Sequence, residues 1–212
     1  AAEHQIGMCG SGYRGHARIG GIKIFLDGSP QGRTAWMSEP YQGDQDYRGY
    51  GTLTDAEVMA ALREAGRRRI QIIAHCNGDA AAEQFLGCLE KAEQEYPVLK
   101  TLRPVIIHGQ FMRPDQMPKA RGLGAVVSFF TAHTWYWGDV HIQNFGLERA
   151  SRISAAASAL ACGLTFTFHQ DAPVILPDML ETIWCAVNRR TKNGIILGAD
   201  QRISVWEALK AV

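Results

Sequence analysis

Two kinds of hydrophobic pattern alternate along this chain. Short, nearly continuous apolar runs occur at Ile22–Leu26, Ile70–Ala74, Val105–Ile107, Ala125–Phe130 and Thr165–Phe168. Runs of this length, bounded by Gly, Asn, Asp or Pro, predict buried strands. Between them lie stretches with helical spacing and recognisable start and stop signals. Thr54 and Glu57 form a capping-box pair ahead of Val58, Leu62 and Ala65, which repeat on one helical face. Asp79 is expected to cap a helix running to about Tyr96, where Pro97 stops it. Further helices are expected over Pro114–Arg121 and Ala150–Ala161, from Asp178 to about Arg190, and over residues 204–211 with Ser204 as N-cap. Residues 1–20, 28–52 and 131–148 read as loops, the last two long enough to suggest function. Strand and helix therefore alternate. That order predicts a parallel sheet covered by helices, and no Pro/Gly/Ser linker divides residues 1–212 into two domains.

Composition narrows the picture by exclusion. The net charge of +1 gives no electrostatic reason to expect nucleic acid or an anionic membrane as partner. Cys9, Cys76, Cys88, Cys162 and Cys185 are odd in number and scattered, without a C-x-x-C pair, which fits a reducing, cytoplasmic setting rather than a disulfide framework. No signal-peptide pattern or membrane-length apolar run is present. The first residues, Ala1-Ala2-Glu3, lack an initiator Met, so the chain is expected to be processed or to start inside a longer protein.

The chemistry is positional. Lys23 lies in the first apolar run, and His75, His108 and Asp171 fall at or just after the ends of three others. In a parallel barrel those ends converge on one face. Two imidazoles and a carboxylate gathered there suit a Zn²⁺-like ion, with the carboxylate placed to take a proton from activated water. Each residue also has a plainer reading. Lys23 can reach out to solvent, His75 and His108 can be turn residues, and Asp171 can cap the turn before Pro173. Their shared structural place favours the site. His133, Trp135, Tyr136, Trp137 and His141 are expected to line a substrate pocket or a lid, with His133 and Trp135 toward substrate. His169 is read as supporting the site or facing substrate. Arg33, Arg149, Arg189 and Arg190 are open between an anionic substrate and ion pairs. Asp79 and Asn77-Gly78 read as cap and turn. No G-x-G-x-x-G fingerprint in a strand-turn-helix setting, no P-loop and no G-x-S-x-G elbow occurs.

Seven segments carry a resemblance: Ile22–Ser29, Gln31–Trp36, His75–Ala81, Val105–Gln110, Leu147–Ala150, Phe168–Val174 and Trp184–Thr191. In this order they resemble the amidohydrolase superfamily, specifically the family 3 branch that includes N-substituted formamide deformylase-like proteins. The resemblance implies a (β/α)8 barrel and one or two divalent metal ions, zinc or another transition metal. It implies Lys23 as the strand-four lysine, carboxylated to an anionic oxygen ligand, and His75 and His108 as strand-five and strand-six ligands. Asp171 then corresponds to the strand-eight aspartate that binds metal and acts as base. The implied reaction is hydrolysis of a C–N bond in an amide, formamide or cyclic amide by metal-activated water. The family's His-x-His on strand one has no counterpart here, so the chain is expected to be the C-terminal half of the barrel, strands four to eight. Its open face is then expected to be covered by a second copy or by further chain. The competing readings are a metal-free, non-catalytic barrel piece or binding protein, and an unrelated sugar-acting barrel. The strand ends offer His and Lys rather than the paired carboxylates the last would need.

Overall fold

The computed structural model describes Tyr13, Gly15, His16 and residues 20–212. Cys9 and most of residues 1–20, read as a loop, lie outside the described residues, while His16 is exposed. Five strands form one parallel sheet: β1 (Gly21–Phe25), β2 (Gln71–Cys76), β3 (Val105–His108), β4 (Val126–Phe129) and β5 (Phe166–Phe168). They lie side by side in chain order, each paired in parallel with the next. Helices follow the strands: α1 (Asp55–Arg68), α2 (Asp79–Glu95), α3 (Val98–Thr101), α4 (Gln116–Gly122), α5 (His133–Tyr136), α6 (Gly138–Ala150), α7 (Ala156–Ala161), α8 (Met179–Asn188) and α9 (Val205–Ala211). Sequential parallel pairing with helical crossovers is how a (β/α) barrel is wound, and five such units make part of one.

The two faces of the sheet differ. Ile72, Ala74, Cys76, Ile106, Val127 and Phe129 face the helices and are fully buried in the main core, with Leu62, Phe85, Leu86 and Leu89. On the opposite face, register places Phe25, His75, Ile107, Ser128 and Thr167 in one row across all five strands. Lys23 belongs to the next row, with Ile73, Val105 and Val126. This second face is the inner face of the barrel, and Phe25 on it is 53% exposed.

Local signals explain where elements begin and end. The Thr54 hydroxyl accepts from Glu57 N–H, and Glu57 returns a bond from Thr54 N–H at 2.8 Å, so the expected capping box forms. Asp178 and Ser204 cap α8 and α9 as expected. Asp79 is not a cap: Gly78 holds that position and Asp79 is the first helical residue. The Asp79 carboxylate instead accepts from Ser38 N–H at 2.9 Å, from the Ser38 hydroxyl and from Arg113 Nη1 at 3.2 Å.

Two expectations are corrected. Residues 131–148 are helical for most of their length, not a loop. Gly146, at φ 76°, breaks α6 internally. The buried stripe of α6 includes His141 with Phe145, so a histidine stands where periodicity looks for an apolar residue. The helix expected over Ala150–Ala161 begins only at Ala156. The chain turns at 151–154, where Arg189, itself fully buried, donates to the carbonyls of Ser151, Ile153 and Ser154 as well as Leu197. Those carbonyls are committed to a guanidinium instead of a helical ladder.

Candidate metal centre

The strand ends meet as the spacing predicts. His108 ends β3, and His169 and Asp171 follow β5. One ligand-capable atom from each of these three lies within 4.8 Å of the others. His169 Nε2 stands 3.2 Å from His108 Nδ1. The ring of His75 meets that of His108 edge-on at 4.6 Å between centroids. Lys23, one row deeper, is exposed, with its Nζ 4.8 Å from the centre of the Phe25 ring.

Backbone geometry brings His108 to the cluster. Register pairs it with Cys76, which faces the helices, so regular alternation would direct both side chains into the core. His108 has φ 74°, and this left-handed turn breaks the alternation. Asp171 is also left-handed, at φ 52°.

Each ring is held by neighbours. Asp27, buried just beyond β1, accepts from the backbone N–H groups of Trp36 (3.1 Å), Asn77 (2.9 Å) and Gly78 (2.7 Å). Its Oδ1 lies 3.2 Å from His75 Nδ1, outside hydrogen-bond alignment. Asn77 Nδ2, anchored on Gly28 carbonyl at 2.8 Å, sits 3.3 Å from His75 Nε2. Ser128 Oγ lies 2.9 Å from His169 Nδ1. Burial, then the neighbouring His169, His75 and Lys23, pushes His108 well below the usual histidine range. Burial also brings His169 down to about 4, against an opposing pull from Asp171. At neutral pH both imidazoles are uncharged, the form that ligates metal. Two neutral imidazoles beside a carboxylate form a donor set suited to a Zn²⁺-like ion.

The remaining candidates have definite places. His133 and His141 are buried and stacked, their rings 2° from parallel, with His133 Nδ1 3.1 Å from His141 Nε2. Trp135 is half-buried and packs edge-on against Trp184 at 5.4 Å. The structure thus brings His108, His169 and Asp171 together, with His75 adjacent, and sets Lys23 deeper and His133 behind His108 at 6.5 Å between ring centres. Arg33 pairs with Asp44, Arg149 donates to the carbonyls of Glu39 and Pro40, and Arg189 is a structural clamp. A cleft of about 450 Å³ lined by Trp36, Asp55, Glu83, Gln84 and Arg113 lies against α2 and includes none of the cluster. Sequence reasoning missed Asp27 and Ser128. Asp27 shares the strand-end position of the other candidates and could have been found by that rule. Ser128 had no signal in the sequence.

Comparisons with known proteins bear on the family and the fold. The sequence model described as the amidohydrolase family matches residues 2–212. The YtcJ protein of Bacillus subtilis (strain 168), whose name classes it with the amidohydrolases, is 27% identical over 201 residues, covering 92% of this chain and 37% of its own length. The Arabidopsis thaliana protein LONG AFTER FAR-RED 3 is 26% identical over 172 residues, covering 81% of this chain and 29% of its own. A crystal structure of an uncharacterized metal-dependent hydrolase from Pyrococcus horikoshii OT3 superposes with a TM-score of 0.79 at 25% identity, covering 91% of this chain and 38% of that one. The chain thus spans less than two fifths of the length of these relatives.

Proposed function

Since the chain belongs to the amidohydrolase family, we propose that it forms part of a metal-dependent hydrolase acting on the C–N bond of a small amide, formamide or cyclic amide. The convergence of His108, His169 and Asp171 donors at the ends of parallel strands carries this reading. The ion is zinc or a similar divalent metal, one or two in number, held by His75, His108 and Asp171, with Lys23 as a further ligand once carboxylated. For His75 this requires Nε2 to exchange Asn77 for the ion. When bound, the metal supplies Lewis acidity and lowers the pKa of water toward about 7.

Asp171 is the catalytic base. Half-buried and beside two neutral imidazoles, it takes the proton of the attacking water and returns it to the departing nitrogen. Asp27 holds the His75 side of the site through its three backbone bonds. Trp135 and His169 would face substrate, with His133, buried behind His108, backing the site. The 212 residues form one portion of a single barrel domain. A second copy or chain beyond these residues covers the inner face on which Phe25 stands open. Among the described residues Cys76, Cys88, Cys162 and Cys185 are free thiols, which supports a cytoplasmic setting. Among the described residues no helix is long and apolar enough to cross a membrane.

The double variant His75→Ala/His108→Ala tests the assignment. Metal content after dialysis against zinc should fall to background, and unchanged content would refute it.

A further inference from the structure

We infer that His169 is a direct ligand of the ion held by His108 and Asp171, and that Ser128 is the positioning residue that sets its tautomer. The inference rests on the metal-centre reading above and adds a ligand to it.

Both ring nitrogens of His75 face protein groups. Nδ1 stands 3.2 Å from the Asp27 carboxylate without hydrogen-bond alignment, and Nε2 is taken up by Asn77 Nδ2 at 3.3 Å. His169 differs. Its Nδ1 faces Ser128 Oγ at 2.9 Å, and Thr167 donates its hydroxyl to the same oxygen at 3.1 Å. A hydroxyl oxygen has two lone pairs, enough to accept from both Thr167 and an Nδ1–H. That tautomer leaves the Nε2 lone pair free. Nε2 points at His108 Nδ1, 3.2 Å away, with an Asp171 oxygen in the same cluster.

The spacing fits a shared ion. Two nitrogens each 2.0–2.1 Å from a tetrahedral centre stand roughly 3.3 Å apart. The backbone fixes the approach as well, because His169 N–H donates to Phe129 carbonyl at 3.1 Å, tying the segment after β5 to the end of β4. Ser128 and Thr167 are register partners on those two strands. The sheet itself therefore builds the support for the His169 ring. His108, His169 and Asp171 give one ion three donors from within this chain, without a contribution from a His-x-His pair.

Cobalt(II) titration of the 212-residue chain tests this, read by visible absorption, whose intensity reports coordination geometry, and by competition with a chelator. His169→Gln should weaken Co²⁺ binding by at least 100-fold and change the spectrum. Ser128→Ala should weaken it by about 10- to 100-fold, and Ser128→Thr, which keeps the hydroxyl, should restore it. Far-UV circular dichroism in chelator confirms that each variant is folded. Wild-type affinity and spectrum in folded His169→Gln, with binding lost in His108→Ala, would overturn the inference and leave the His75/His108/Asp171 reading standing. Weak binding in His169→Gln but wild-type binding in Ser128→Ala would overturn the positioning role. Absence of Co²⁺ binding by the wild-type chain would overturn both.

Discussion

Acid should unfold this chain earlier than its near-neutral composition suggests, and the His133–His141 pair makes the effect measurable. Both rings are buried, and burial lowers His141 to about 3 and His133 well below its usual range. An unfolded histidine titrates near 6.5, so between about pH 6.5 and 3 the unfolded state binds a proton that folded His141 refuses. Stability is therefore fully present above pH 6.5 and is lost as pH falls. One site costs about 1.4 kcal/mol per pH unit, or about 5 kcal/mol over the whole window. That is comparable to the entire stability of a small domain, roughly 5–15 kcal/mol. His133, His108 and His169 shift in the same direction and steepen the slope. The assay is urea unfolding at pH 7, 6, 5 and 4.5, with chelator present so that metal loss makes no contribution. His141→Gln keeps a hydrogen-bonding side chain beside His133 but does not titrate. Its stability should depend on pH less steeply than the wild type, by about 1.4 kcal/mol per unit. Equal slopes, or a wild type that gains stability on acidification, would refute the reasoning.

Two further substitutions probe the scaffold. Arg189→Met leaves the buried carbonyls of Ser151, Ile153, Ser154 and Leu197 without their guanidinium donor. It should cost about 3–5 kcal/mol in urea unfolding, and a loss below about 1 kcal/mol would show that water or a local turn replaces the clamp. Gly78→Ala would place a Cβ 1.8 Å from Trp36 carbonyl oxygen. Loss of about 3 kcal/mol or more is expected, together with a weaker hold of Asp27 on the 77–78 backbone; an unchanged melting temperature would rule out that close approach.

The legible part of the molecule was the part governed by period and punctuation. Apolar runs mark all five strands, and because active groups in a barrel sit at strand ends, position alone nominates His75, His108 and Asp171 as candidates. What stayed hidden depends on contacts across the sheet. Ser128 reads as an ordinary strand residue until register sets it beside Thr167 and below His169. Arg189 looks like a surface cation at a helix end, and only the fold shows it closing the 151–154 turn. The segment 131–148 buries His133 and His141 as fully as core leucines, and a reading by polarity takes such a helical layer for a loop.

The left-handed backbone at His108 and Asp171 has a consequence for how such a chain changes over generations. A side chain in that conformation costs about 1–2 kcal/mol, and glycine would relieve it, less roughly 0.5–1 kcal/mol for glycine's greater freedom when unfolded. At half-buried Asp171 substitution to glycine is thus close to neutral for folding while it removes the proposed metal donor, whereas at His108, packed on the rings of His75, Phe130, His133 and His169, it would also open a cavity. Drift constrained only by stability would not preserve a carboxylate at 171. Comparing how often glycine stands at position 171 in related sequences would separate lineages that still use the centre from lineages that keep only the barrel.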